Sequence, residues 1–428
     1  MDSVKPQRPA ISDGGVINHL KYWWMKAGLA FFFLAAVFGM MMRYYYISEI
    51  PFVDYKYLLH AHSHTALLGW GYMFVSGVFI FLFSKWTQWY RFYWLLFAIN
   101  FISVLGMAIF FLYQGYGIYS IFFSTVHLIS VYLFSYHFLG QLRRDKYIAG
   151  GPFIKWSVIW LLVSTLGLWA IAPVSIFLGK LHPLYYMSVQ FFLHFQFNGW
   201  FTYAILGLLF FHLNQTGHKV TIPVHGFWIL QLSLLLTYAL SVTWSTPVSF
   251  IFYLNSLGVF LQGIAFYLIL KSVFKNFDTS KRKNDWSDLL LILGLICLVS
   301  KIVIQIFVAV PVVAEISYTI RNYVIGFIHL TMLGSVTLTG VSILIKNQLL
   351  PGNNLSRIGW LLLGSGFILM EILLFGQGTL LWMEKGFIAF YYEILFAVTA
   401  LLPIAIFIVL IGFTPDHQKE FKLHSLCI

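Results

Sequence analysis

The stretch LLHAHSHTALLGWGYMFVSGVFIFLF, residues 58–83, decides the fold class. It contains no Asp, Glu, Lys or Arg, and it exceeds the roughly 20 apolar residues that a helix needs to cross a bilayer. Similar runs fill most of the 428-residue chain, which is 60% hydrophobic and only 9% charged. A soluble domain could not bury that much apolar surface. The sequence therefore predicts an all-α, polytopic membrane protein.

Apolar runs of this length predict a bundle of twelve transmembrane helices. The runs are 27–48, 58–84, 92–113, 118–140, 153–178, 184–211, 225–245, 247–271, 288–313, 320–346, 356–382 and 387–412. They are far longer than the segments of about ten residues that build a membrane β-barrel, so a barrel is excluded. The prediction divides the chain into an N-terminal tail 1–26, a transmembrane domain 27–412 and a C-terminal tail 413–428. No internal repeat is apparent.

The basic residues predict the orientation of the bundle. All but six of the 26 Lys and Arg residues fall on one side of the predicted membrane. The exceptions are Arg43, Lys56, Lys180, Lys301, Arg321 and Lys385. Because cytoplasmic loops collect positive charge, both tails are expected to be cytoplasmic, in a bacterial inner membrane. Orientation and attraction to anionic lipid then explain the net charge of +12, so the lipid bilayer is the expected partner and nucleic acid is not.

Histidines inside the predicted spans are the main functional signal. They occur in the second, fourth, sixth and tenth spans, roughly 3–15 Å below the same boundary at 1.5 Å per residue. These residues are His60, His62, His64, His127, His194 and His329. An ionisable side chain in hydrocarbon is costly without a partner. Several imidazoles at one depth therefore predict a bound metal or haem.

Helical geometry separates the three histidines of the second span. His60 and His64 are four residues apart and share a face, whereas His62 points the other way. His64 is the favoured ligand, and its face continues through Leu68 and Gly71. The alternative for His60 and His62 is a position at the wet membrane interface.

The fourth and sixth spans supply candidate ligands for a second site. His127 has a serine about one turn before it and another one turn after it, which also fits an ordinary interhelical hydrogen bond. His194 continues a polar face with Gln190 and Asn198, which lines either a cavity or a helix contact. Because imidazole suits copper and iron, His194 and His127 are candidate ligands of a lone copper or iron ion.

Three motifs resemble subunit I of the haem–copper oxidase and nitric oxide reductase superfamily. HTALLGWGYMF, which begins at His64, resembles the haem-ligand segment of that family's second span, and His62 offers an alternative register. GFIHLTMLGSV resembles the tenth span, with His329 at the second position of the family's His-x-His pair and Phe327 at the first. FFLHFQFNGWF, which contains His194, resembles the sixth span of the reductase branch. The predicted seventh span lacks the family's two adjacent histidines.

The resemblance to cytochrome c oxidase subunit I implies a twelve-helix bundle with a low-spin, b-type haem held between His64 and His329. It also implies that one haem ligand and two of the three ligands of the second metal are missing, so a complete terminal oxidase is not expected. Arg321, which opens the tenth span, is then expected near a haem propionate. The implied role is electron transfer in respiratory or nitric oxide metabolism, with a respiratory electron donor or subunit as partner.

Two further charges lie near mid-membrane, Lys301 in the ninth predicted span and Glu371 in the eleventh. An unpaired charge at that depth costs about 2.5–3.5 kcal/mol, so each must find a partner, and each is a candidate partner of the other. Such charges also fit a transporter, although the prolines in the spans are not placed symmetrically, as inverted repeats would require. A haem-free assembly partner of a respiratory complex is the remaining alternative.

Overall fold

The computed structural model describes residues 13–142, 148–275 and 285–414, and side chains from residue 19 onward. These ranges are helical and contain no strand, which confirms the all-α prediction. The helices are α1 (Asp13–Tyr44), α2 (Tyr55–His64), α3 (Met73–Phe83), α4 (Tyr90–Gln114), α5 (Ile118–Leu142), α6 (Gly151–Phe177), α7 (Pro183–His194), α8 (Thr202–Gln215), α9 (Val224–Thr243), α10 (Ser249–Lys275), α11 (Trp286–Phe307), α12 (Pro311–Thr319), α13 (Arg321–His329), α14 (Thr339–Lys346), α15 (Asn354–Trp382) and α16 (Tyr391–Gly412).

Three π-helical turns interrupt longer helical runs in the described ranges. The first π turn joins α2 to α3, the second joins α7 to α8, and the third joins α13 to α14. Their bounds are Thr65–Tyr72, Phe195–Phe201 and Leu330–Leu338. A π turn inserts an extra residue into an α-helix, and such turns are frequent at functional sites.

Eleven helical segments in the described part of the chain are long and apolar enough to cross a membrane. They correspond to eleven of the twelve predicted spans, which confirms a bundle of many apolar helices. The predicted sixth span, 184–211, is helical from α7 through the second π turn to α8 but is not among the eleven. This span carries Gln190, His194, Gln196 and Asn198, which lower its mean hydropathy.

The first helix begins earlier than its hydropathy suggests. α1 starts at Asp13 and therefore includes half of the predicted N-terminal tail 1–26. Leu20 is fully buried and Trp24 is 1% exposed, so this part of the helix packs against the core. The parts of the two predicted tails that lie outside the described residues are 1–12 and 415–428.

Polar side chains define the starts of several helices. Asp54 accepts a hydrogen bond from the backbone N–H of Tyr57, at 3.0 Å, where α2 begins. Asp285 and Asp288 form a capping box at the start of α11. Both arrangements satisfy backbone N–H groups that the first turn of a helix leaves without a partner.

The described helices form three units of similar plan. Each unit has four long helical runs, and the units cover 13–142, 151–275 and 286–412. In each unit the second run reaches a histidine, continues as a π turn and then returns to α-helix. The histidines are His64, His194 and His329, and a glycine follows each by five residues, at Gly69, Gly199 and Gly334. The chain therefore contains a structural repeat that was not apparent from its sequence.

In each π turn, the glycine five residues after the histidine packs closely against a side chain of the first long helix of its unit. A Cβ atom added at any of these glycines would lie less than 3.0 Å from that side chain. The pairs are Gly69 with Phe31, Gly199 with Trp160, and Gly334 with Cys297. This repeated close approach sets the position of each π turn relative to its unit.

The three π turns meet one another at Gly71. A Cβ atom on Gly71 of the first π turn would lie 2.8 Å from Cζ of Phe201, in the second, and 3.1 Å from Cε of Met332, in the third. The indole of Trp70 also donates to Oγ1 of Thr337, at 3.0 Å, and so links the first π turn to the third. The histidine-bearing runs therefore share one packed centre.

Candidate functional site

His62 lies on the face of α2 that packs against α1. Its Nδ1 is 2.8 Å from the carbonyl oxygen of Ala35, and a Cβ atom on Gly39 would lie 3.1 Å from its ring. A carbonyl oxygen only accepts hydrogen bonds, so Nδ1 carries the proton and Nε2 carries the free lone pair. This is the tautomer of a histidine that binds a metal through Nε2 while a backbone carbonyl orients its ring.

His329 is the last residue of α13. It lies within electrostatic range of His62 and of Arg43, and its ring is half-buried. Its Nδ1 is buried and has no hydrogen-bond partner among the described residues. A buried ring nitrogen without a partner is costly, so this nitrogen is available to a ligand.

His64 faces a different set of helices. Its Nδ1 donates to the carbonyl oxygen of His60 at 2.9 Å, and its Nε2 is 3.4 Å from the hydroxyl of Tyr116. Its ring stacks on Phe111 with a centroid distance of 4.0 Å. Both ring nitrogens of His64 therefore have protein partners. His60 and His127 are the histidines that lie within electrostatic range of His64. The His64–His329 pair stays a prediction, and the geometry favours the alternative register at His62.

Two arginines lie in the same region of the bundle, and one of them, Arg43, is within electrostatic range of both His62 and His329. Arg43, in the last turn of α1, and Arg321, in the first turn of α13, lie within electrostatic range of each other. Tyr55 lies within range of both. Neither arginine forms a salt bridge with a carboxylate in the described part of the chain. Two adjacent cations that form no salt bridge with a carboxylate can bind an anionic group.

The two predicted ligands of a lone metal ion have contacts that differ. Nε2 of His194 donates to the carbonyl oxygen of Leu234 at 2.8 Å, and its Nδ1 accepts from the amide of Asn198 at 3.3 Å. The ring of His127 packs edge-on against Tyr72, at 5.0 Å. No group of three or more His, Cys, Asp or Glu side chains able to hold a metal ion occurs among the described residues. His194 therefore makes interhelical hydrogen bonds, and the roles of His194 and His127 as metal ligands stay predictions.

Lys301 has amide partners. Lys301 is 1% exposed. Its Nζ donates to Oδ1 of Asn198 at 2.7 Å and to Oε1 of Gln305 at 3.0 Å. It also lies 5.3 Å from the ring centroid of Phe327, a distance at which a cation is attracted to an aromatic face. Glu371 has no hydrogen-bond partner among the described residues. The two mid-membrane charges therefore do not pair with each other.

We expect Asn198→Leu to destabilise the protein by about 1–3 kcal/mol, because it leaves the Lys301 ammonium short of an acceptor in a buried site. Thermal unfolding in detergent, followed by monodispersity on a sizing column, measures the effect. The matched control is the double variant Asn198→Leu with Lys301→Met, which removes donor and acceptor together and should recover most of the loss. Equal stability of the single variant and the wild-type protein would show that the Asn198 contact is unimportant.

Two features of this site, Arg43 and the π turns, were not predicted from the sequence. Arg43 was visible only as one of six basic residues on the less basic side of the predicted membrane. The π turns had a signal, the recurrence of histidine and glycine five residues apart. A pattern of two residues is too short to predict a π turn. Only the structure shows that the same backbone follows each occurrence.

Comparisons with known proteins assign no function to this chain, so the functional argument rests on the site. No protein-family model matches the chain, and no curated protein shows significant similarity to it.

Proposed function

We propose that this chain is a haem-binding membrane protein of the haem–copper oxidase-like class, in which His62 and His329 would hold one b-type haem. The supporting observation is the state of His62. Its Nδ1 proton is held by the carbonyl of Ala35, so the lone pair on Nε2 is free, and His329 lies within electrostatic range. The proposal keeps the predicted role of His329 and moves the second ligand from His64 to His62.

The surrounding residues fit this group. Nδ1 of His329 is buried without a partner. Arg43 and Arg321 lie within electrostatic range of each other and would bind the carboxylates of a haem, because arginines bind carboxylates well. Gly39 lets the ring of His62 lie against α1. A haem held by two histidines would supply one-electron transfer.

The chain's own residues limit the chemistry to electron transfer. Phe327 stands where the resembling family has the ligand of its active-site haem, and Lys301 lies over the ring of Phe327. His194 is occupied by Leu234 and Asn198. The proposal is therefore an electron-transfer or redox-sensing role in respiratory or nitric oxide metabolism, served by a one-electron donor, without oxygen reduction.

The decisive test is a pyridine haemochrome assay on protein purified from haem-replete cells. We expect about one b-type haem per chain and a reduced spectrum with the sharp α band of a low-spin centre. The control is protein from the same cells grown under haem limitation, which should be folded and colourless. A monodisperse protein without haem after haem-replete growth would contradict the proposal and leave the transporter or assembly partner as explanations.

A further inference from the structure

A groove opens on the bundle where the first unit meets the second. It lies between the end of α5 and the starts of α6 and α9, and its volume is about 550 Å³. Most of its lining is apolar and includes Leu142, Ile222 and Phe227. Sites for small ligands have volumes of roughly 300–1,000 Å³, so the groove is large enough to hold part of a lipid molecule.

The groove lies at the edge of the bundle, near one membrane boundary. Only 28% of the most apolar 18-residue stretch of α6 is buried, so most of this helix is open to lipid. Lys155 follows Gly151, the first residue of α6, by four residues, or about 6 Å at 1.5 Å per residue. The distribution of basic residues predicts that this end of α6 is cytoplasmic. A lipid of that leaflet can therefore reach the groove from the side.

Two tryptophans line the groove and contact each other. The rings of Trp156 and Trp228 meet edge to face, with a centroid distance of 5.9 Å and an interplanar angle of 81°. Trp228 is 55% exposed. Tryptophan is enriched at the level of the lipid headgroups, where its ring contacts apolar chains and its N–H contacts polar groups. The tryptophans therefore mark the groove as a site at the membrane interface.

Lys155 gives the groove a positive charge. It is exposed and lies in the lining, and none of the described residues that line the groove is acidic. Within the described ranges Lys155 also forms no salt bridge. A lysine ammonium binds a phosphate group as a point charge. A cation beside an apolar groove is complementary to a molecule that carries both a phosphate and an acyl chain.

We propose that this groove binds one anionic phospholipid of the surrounding leaflet, with its phosphate at Lys155 and an acyl chain along the apolar lining. A zwitterionic lipid offers the same chain but no net charge, and a soluble anion offers the charge but no chain. The bound lipid contacts both the end of α5 and the start of α6, so it links the first unit to the second. This site does not depend on haem binding.

The test is native mass spectrometry of delipidated protein titrated with phosphatidylglycerol in detergent. We expect about one tightly bound lipid per chain and weaker binding of phosphatidylcholine with the same acyl chains. Lys155→Gln should weaken the affinity for phosphatidylglycerol about fivefold, the effect of one basic side chain near anionic lipid. Lys155→Arg should keep the wild-type affinity. Lys271→Gln is the matched control, because Lys271 is exposed on the same predicted side and does not line the groove.

Three outcomes would overturn this assignment. They are equal affinity for phosphatidylglycerol and phosphatidylcholine, an unchanged affinity in the Lys155→Gln variant, and an equal loss in the Lys271→Gln variant. Glycerol 3-phosphate is the probe for a site that binds any soluble phosphate, and binding of this probe as tight as that of the lipid would also contradict a lipid site. Because lipid is counted whether or not haem is present, failure here leaves the proposed function untouched.

Discussion

Replacing His62 or His329 with alanine is expected to remove haem from the purified protein, whereas His64→Ala is expected to retain it. Loss of an orienting partner alone typically lowers metal affinity about 10–100-fold, and loss of an axial ligand should cost at least that much. His64 already has two protein partners, at His60 and Tyr116, so its ring need not bind iron. Haem content per chain, from the haemochrome assay, measures the difference.

His62 and His64 lie half a helical turn apart on α2 and so point in opposite directions. Each of these two variants therefore serves as the control for the other, and His329→Ala tests the ligand on α13. Monodispersity on a sizing column confirms that each variant is folded before its haem is counted. If His64→Ala lost haem and His62→Ala kept it, the register that begins at HTALLGW would hold after all. If neither variant lost haem while His329→Ala did, the second axial ligand would lie outside α2.

The second large effect is expected at the centre where the three π turns meet. Gly71→Ala should destabilise the protein by about 1–3 kcal/mol, because the added methyl group overpacks a site without free space. Its Cβ would lie 2.8 Å from the ring of Phe201 and 3.1 Å from the end of Met332, so side chains of two other units must shift. Thermal unfolding in detergent measures the loss.

The matched control for this change is Gly376→Ala in α15. No heavy atom lies within 4 Å of a Cβ added there, and alanine is the better helix former. The control should therefore be as stable as the wild-type protein, or slightly more stable. Equal stability of the Gly71 and Gly376 variants would show that the π turns are not closely packed at Gly71.

The sequence predicted the features that depend on local composition. Long apolar runs without charge predict membrane-spanning helices because each run satisfies its own backbone and exposes apolar side chains to lipid. Eleven such helices occur in the described residues. α1 begins at Asp13, before the predicted apolar run 27–48, because hydropathy measures affinity for lipid. Leu20 and Trp24 are instead buried against protein.

The partners of the buried charges were not predictable from the same information. Lys301 and Glu371 were expected to need partners, and their shared depth near mid-membrane made each a candidate partner of the other. The structure gives Lys301 the amides of Asn198 and Gln305 and gives Glu371 none among the described residues. Choosing among partners on different helices requires knowledge of how each helix is rotated about its axis.

The sequence by itself determined that this is an all-helical chain with many apolar spans, and that His62 and His64 point in opposite directions. Only the tertiary structure decided what each of them contacts: His62 lies against Ala35 of α1, and His64 lies against Phe111 and Tyr116. It also introduced the π turn that begins after His64. Its extra residue rotates everything beyond it about the helix axis, so the face of His64 does not continue through Leu68 and Gly71 with α-helical spacing. Such a rotation is set by packing against other units, as at Gly71, and leaves almost no mark on hydropathy.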